Sequence, residues 1–290
     1  MTKNFGKRTV VDGLDLAIPR GGVYGFLGPN GSGKSTTMKM LLGLLHPSAG
    51  QVFLLGEDPW GEARARLMPR IGSMIEHPPG YGHLTGAENM RLLARLLNLE
   101  TTRIDRALEL VRLTDHRDRL QRTYSLGMKQ RLGIAMALAR EPELLILDEP
   151  TNGLDPAGIE EIRELMIHLA SGGVTVMISS HLLDEIDRMA DILGVLSQGR
   201  LVFQGSRKEL FERSIPDLIV VTPQANAAAN LVRGCRLERN GIRVQGCGQE
   251  DAARLIVRLV QEGIPIHEVR RLQQSLEEVF MDLTGGAEAL

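Results

Sequence analysis

The chain has 290 residues, room for one large or two ordinary domains, and 43% of them are hydrophobic, enough for a packed core. Its 34 basic and 36 acidic residues leave a net charge of −2, which offers no bulk attraction to nucleic acid. No run approaches the roughly 18–20 apolar residues of a membrane-spanning helix, and Lys3, Lys7 and Arg8 lead into no signal-peptide core, so any membrane association is expected to come through a partner.

Along the chain, residues 10–18 alternate weakly up to Pro19. Gly21-Gly22 then turns into VYGFL, residues 23–27, a short buried strand. A Gly-rich loop and a helix over about 33–45 follow, stopped near Pro47. Residues 51–55 and 71–75 read as further strands. The second of these ends on Glu76 and His77, then Pro78-Pro79 and a flexible Gly80-Tyr81-Gly82. A metal site, an acid/base pair and a plain turn are all open there. His77 has no second His or Cys at ligand spacing, which weakens the first.

From Thr85 the character becomes helical. Thr85 and Glu88 form a capping-box pattern, and further helices are expected over 103–113 and 126–140. Strands return as LLIL before Asp148 and VTVMIS before Ser180. Such continuous apolar runs suit a parallel sheet covered on both faces. Helices over 156–169 and 182–190, and a hairpin over 192–203 turning at Gln198-Gly199, complete an α/β layer with a helical insert.

After Pro216 the pattern restarts. A strand at 218–221, a helix at 225–232, and a hairpin turning at Asn240-Gly241 come first. A helix at 249–261, a strand at 264–269 and a helix from Ser275 complete a β-α-β-β-α-β order, the ferredoxin-like plan. The expected hairpin register sets Cys235 opposite Gly246 rather than Cys247. Two free thiols are therefore expected. The domains are taken as 1–213, with a helical subdomain near 85–140, and 214–290.

Two motifs carry chemistry. Gly28, Pro29, Asn30, Gly31, Ser32, Gly33, Lys34, Ser35 and Thr36 spell GPNGSGKST between a strand and a helix, the phosphate-loop pattern in its proper context. Glycines let backbone N–H groups point inward at anionic oxygens, and the helix N-terminus adds partial positive charge. Lys34 supplies a point charge for the β- and γ-phosphates, and Ser35 a hydroxyl for Mg²⁺. LLILDEP, residues 144–150, delivers Asp148 to a strand end where it can hold the Mg²⁺ shell, with Glu149 next to it to activate a water.

With these motifs the chain resembles the ATP-binding subunit of an ABC transporter, a P-loop NTPase with a RecA-like core. TNGLD, residues 151–155, is similar to the family's D-loop, and His181 occupies the place of its switch histidine. Phe5 sits where an aromatic residue stacks on adenine, although a core or surface role would also suit it. YSLGMKQR, residues 124–131, stands in for the signature usually written LSGGQ. Ser125 and Gly127 are kept, while Leu126 and Met128 replace a glycine and a glutamine. In the family this segment reaches the γ-phosphate held by a second subunit. Glu76 falls at the Q-loop, where the family usually has glutamine. A carboxylate there is a harder Mg²⁺ ligand than an amide.

The stretches 71–90 and 124–138, with SLEEVF at 275–280, resemble one branch: ATPase subunits of bacterial exporters in lantibiotic immunity and bacitracin resistance. What that resemblance implies is ATP and Mg²⁺ as cofactors, a second ATPase subunit, expected to be a second copy, and a separate ABC-2-type membrane permease. It also implies no nucleic-acid partner, and a place at the cytoplasmic face of the cell membrane. A soluble ABC ATPase without a membrane partner and an importer ATPase are the competing readings. Few residues precede Phe5, so the family's first edge strand is expected to be short or absent, through a late start or a bare sheet edge.

Overall fold

The structure, a computed structural model, describes residues 1–284; the end of the expected second domain, 285–290, lies outside them. Its main sheet runs in the order β4-β5-β6-β3-β7-β8. The strands are β3 (Val23–Leu27), β4 (Ile71–Met74), β5 (Leu144–Asp148), β6 (Thr175–Ser180), β7 (Ile192–Ser197) and β8 (Arg200–Ser206). The first five are mutually parallel and β8 closes the edge antiparallel to β7. Every residue of β3, β5 and β6 is buried, the outcome expected of unbroken apolar runs. Gln198 and Gly199 both take positive φ, 47° and 81°, as a two-residue hairpin turn requires.

A two-stranded ribbon, β1 (Lys3–Phe5) and β2 (Arg8–Val11), precedes this sheet. Of the expected N-terminal alternation, residues 10–18, only Val10 and Val11 become strand, at the end of β2. Residues 51–55 also differ from expectation. They form a single bridge between Leu54 and Glu57, and among the described residues no neighbouring strand offers them a ladder; Phe53 is left 62% exposed. A strand is stabilised by its cross-strand partners, so an apolar run without one stays irregular.

Helix α1 (Lys34–Leu41) follows the Gly-rich loop, and α2 (Arg64–Leu67) leads into β4. The insert carries α3 (Gly86–Leu97), α4 (Thr101–Leu110) and α5 (Leu126–Leu138). The expected capping box starts α3. Thr85 Oγ1 accepts from the Glu88 N–H at 3.1 Å, and the Glu88 carboxylate accepts from the Thr85 N–H at 2.7 Å. Buried Asn89 then ties down the preceding turn. Its Oδ1 accepts from the Tyr81 N–H at 2.7 Å and its Nδ2 donates to the Tyr81 carbonyl at 3.1 Å. The stretch around Gly80-Tyr81-Gly82, read from sequence as a loosening, is thus anchored to α3. Asp155 caps α6 (Pro156–Ser171) by accepting from the Gly158 N–H at 3.1 Å; α7 (Leu183–Asp187) is shorter than expected.

The contacts divide the chain between Ser206 and Arg207, so α8 (Arg207–Arg213), placed by the sequence at the end of the first domain, belongs to the second unit. That unit contains β9 (Asp217–Val221), α9 (Ala225–Leu231), β10 (Arg236–Glu238), β11 (Gly241–Val244), α10 (Gln249–Gln261), β12 (Glu268–Leu272) and α11 (Leu276–Thr284). The sheet order β10-β11-β9-β12, all antiparallel, follows from a β-α-β-β-α-β chain whose hairpin inserts beside the first strand.

Two details correct the sequence reading here. The last strand lies at Glu268–Leu272, later than expected. The hairpin turns at Arg239-Asn240, with Glu238 opposite Gly241, one residue from the expected turn. Gly241 is needed because a Cβ there would strike the Val220 carbonyl of β9. Ile242, opposite Val220 on β9, is buried in one cluster with Val220, Leu218 and Leu259. Cys235 and Cys247 are both free.

Candidate functional site

Four neighbouring parallel strands end at one place. β3 runs into Gly28, β4 into Glu76, β5 into Asp148 and Glu149, and β6 into His181. Ligands of open α/β sheets gather in such a crevice, outside the carboxyl ends of the strands. A cavity of about 480 Å³ lies there, lined among others by Ser35, Glu76, Leu126, Asp148, Glu149 and Asn152.

The loop before α1 is shaped by close approach. Gly33 sits at φ 107°, and a Cβ there would lie 2.9 Å from the Val10 carbonyl; one on Gly28 would lie 2.5 Å from the Leu196 carbonyl. Lys34 is buried. Its Nζ donates to the carbonyls of Gly28 (2.6 Å) and Pro29 (3.3 Å) and lies 3.6 Å from Glu149 Oε1. Burial pushes its ammonium below the usual lysine range, and the charges of Glu149 and Asp148 pull the other way. Ser32 Oγ is buried without a hydrogen-bond partner.

At the end of β5, the Ser179 hydroxyl donates to Asp148 Oδ1 at 2.5 Å and accepts from the Glu149 N–H at 3.0 Å. Glu149 takes φ 47°, a left-handed conformation that is strained for a residue with a side chain. Its Oε2 lies 3.2 Å from His181 Nδ1. One carboxylate therefore touches the lysine of the phosphate loop and the imidazole at the end of β6. Glu76 also has a left-handed backbone, φ 66°, and its Oε1 accepts from Lys39 Nζ of α1 at 2.5 Å.

Ser125 caps α5, its Oγ accepting from the Met128 N–H at 3.2 Å, and is exposed. Ser125 and Gly127 do not line the cavity of their own chain, whereas Leu126 between them does. A Cβ on Gly153 would collide with Leu126 Cδ2, so the signature-like segment packs on TNGLD. Phe5 stands on β1, 51% exposed, with Lys3 Nζ 5.2 Å from its ring centroid, and is outside the cavity lining. Sequence reasoning missed Ser179, for which the Ser-Ser pair closing β6 was the only signal. It also missed Lys39, whose link to Glu76 had none.

The ABC transporter sequence profile matches residues 11–152. Among curated relatives, the uncharacterized ABC transporter ATP-binding protein YhcH of Bacillus subtilis (strain 168) is 40% identical over 289 residues, 98% of this chain and 94% of that protein. The bacitracin transport ATP-binding protein BcrA of Bacillus licheniformis is 40% identical, covering 99% of this chain and 96% of that one. The lantibiotic transport ATP-binding protein SrtF of Streptococcus pyogenes is 43% identical over 221 residues, 74% of this chain and 95% of SrtF. A solved ATP-binding subunit of an ABC transporter superposes with a TM-score of 0.66 at 29% identity, over 73% of this chain and 90% of that one. On this identity along nearly its full length, the chain belongs to the ABC transporter ATP-binding proteins, ATPases that hydrolyse ATP to drive transport.

Proposed function

We propose that this chain is the ATP-hydrolysing subunit of an exporter for an antibiotic, an antimicrobial peptide or another drug-like or lipid substrate. It works as a pair of copies on a separate ABC-2-type membrane permease, at the cytoplasmic face of the membrane. The observation that carries the ATPase half is the meeting of Lys34, Glu149 and His181 at adjoining strand ends. The export half rests on the near full-length similarity to BcrA, with the daunorubicin resistance protein DrrA3 of Streptomyces coeruleorubidus 38% identical over 98% of this chain. Among the described residues no helix is long and apolar enough to cross a membrane, so transport needs another chain to supply the path.

The residues present fit a nucleotide. The loop leaves open space above Gly31, keeps the Ser32 hydroxyl unpaired, and folds the buried ammonium of Lys34 back on its own carbonyls. Among the described residues no three acidic, imidazole or thiol groups converge to hold a metal unaided. A Mg²⁺ beside Ser35, Asp148 and Glu76 therefore needs the phosphates to complete its shell. ATP, when bound with Mg²⁺, supplies the phosphoryl group whose transfer to water releases the driving free energy.

The chain's own residues then have separable tasks. Lys34 exchanges two carbonyl acceptors for phosphate oxygens, a charge-assisted contact. Asp148, oriented by Ser179, offers its carboxylate to the cation. Glu149 takes a proton from the attacking water, and His181, within 3.2 Å of its Oε2, holds the γ-phosphate end. Ser125 and the amides near Gly127, exposed at the start of α5, serve the nucleotide of the partner copy. Phe5 provides a face for adenine.

The test is co-purification with a co-expressed ABC-2-type membrane permease, followed by ATPase assays of that complex with bacitracin, a lantibiotic and daunorubicin. Stimulation by at least one is expected. A chain that hydrolyses ATP but binds no membrane protein would support the soluble alternative instead.

A further inference from the structure

Glu76 and Lys39 form a pair that neither motif contains. Glu76 leaves β4 through a tight turn: its φ is 66°, and the His77 N–H donates to the Ile75 carbonyl at 2.9 Å. The turn brings the carboxylate to α1, where Lys39 Nζ donates to Oε1 at 2.5 Å. Lys39 lies four residues after Ser35, so both project from one side of the helix that the phosphate loop opens. Ser35 and Glu76 line the same cavity. The bond to Lys39, ahead of their mutual charge attraction, holds the Glu76 carboxyl below its usual range, and His77 adds a weaker pull in the same direction.

A carboxylate next to a triphosphate pocket has a cost that an amide lacks, because it repels the ligand's negative charge. The pair offsets that repulsion from within the chain. Both side chains are substantially solvent-exposed, 33% for Lys39 and 57% for Glu76. A pair in that setting is weak and easily exchanged. A doubly charged cation can therefore displace the ammonium, which a buried pair would resist.

We infer that Lys39 is a positioning residue for Glu76, an internal counter-ion that shields the phosphate pocket from its carboxylate and yields that carboxylate to a divalent cation when nucleotide binds. The second half of this assignment rests on the reading of Glu76 as a Mg²⁺ ligand. The first half does not. Lys39 thereby links the occupancy of the metal position to α1, the helix whose N-terminus faces the phosphates.

ATP binding to the full-length chain, measured by calorimetry in EDTA and across a Mg²⁺ titration, tests both halves in Lys39→Met, Glu76→Gln and the double variant. Lys39→Met is expected to weaken ATP binding in EDTA and to lower the half-saturating Mg²⁺, each by about two- to fivefold, the scale of an exposed pair. Lys39→Arg keeps the charge and is expected to restore wild-type values. In the Glu76→Gln background, Lys39→Met is expected to leave the half-saturating Mg²⁺ unchanged, because no carboxylate remains to be released. A Lys39→Met protein identical to wild type in both, or a shift in half-saturating Mg²⁺ that persists in the double variant, would overturn the assignment. Should Glu76→Gln alone leave the Mg²⁺ titration unmoved, the metal-ligand reading fails, and the EDTA comparison still decides the counter-ion role.

Discussion

Lys34 shows how a single side chain records the task of its site. A buried ammonium is stable only with partners, and here its partners are two loop carbonyls and a carboxylate 3.6 Å away. Replacing it by alanine removes the charge proposed to meet the phosphates. Lys34→Ala is expected to weaken ATP binding by about 10- to 100-fold, the scale of a lost hydrogen bond to a charged group; equilibrium dialysis with labelled ATP checks it. Ser179 acts one step back, through Asp148 and the Glu149 backbone. Ser179→Ala is expected to lower the hydrolysis rate more than the ATP affinity, because it frees the Asp148 carboxylate and removes one of two acceptors of the Glu149 N–H without touching the loop. A steady-state ATPase series against ATP concentration separates the two effects.

At the scale of elements, the phosphate loop and LLILDEP were legible because each is a local event: strand, turn, then helix or acidic end. The capping box was legible for the same reason. Thr85→Ala is expected to cost about 1 kcal/mol in a denaturant melt. The Glu88 carboxyl is held below its usual range by the Thr85 N–H and hydroxyl, so its stabilisation is fully present above the unfolded value of about 4.3. The advantage of wild type over Glu88→Gln should therefore hold at neutral pH and fade as pH falls below about 4. What sequence could not show depends on distant partners. Residues 51–55 have the composition of a strand and no ladder to join. Gly241 resembled a turn glycine, yet its smallness serves the Val220 carbonyl on another strand. Glu76 and Lys39 lie 37 residues apart, and no local pattern announces their meeting.

At the scale of the whole molecule, Ser125 is exposed at the start of α5 and lies outside the cavity lining of its own chain, the observation behind the proposed pairing of two copies. The geometry of Glu149 makes that claim measurable, because its carboxylate touches the loop lysine and His181 while the nucleotide's other contacts lie elsewhere. The decisive measurement is light scattering of Glu149→Gln with ATP and Mg²⁺, with residual hydrolysis read in the same sample. The account predicts a species of two 31.9 kDa chains that retains ATP, with hydrolysis at least about 100-fold slower than wild type, as for the loss of a general base. A monomer that still binds ATP, or a dimer that hydrolyses it at the wild-type rate, would contradict it.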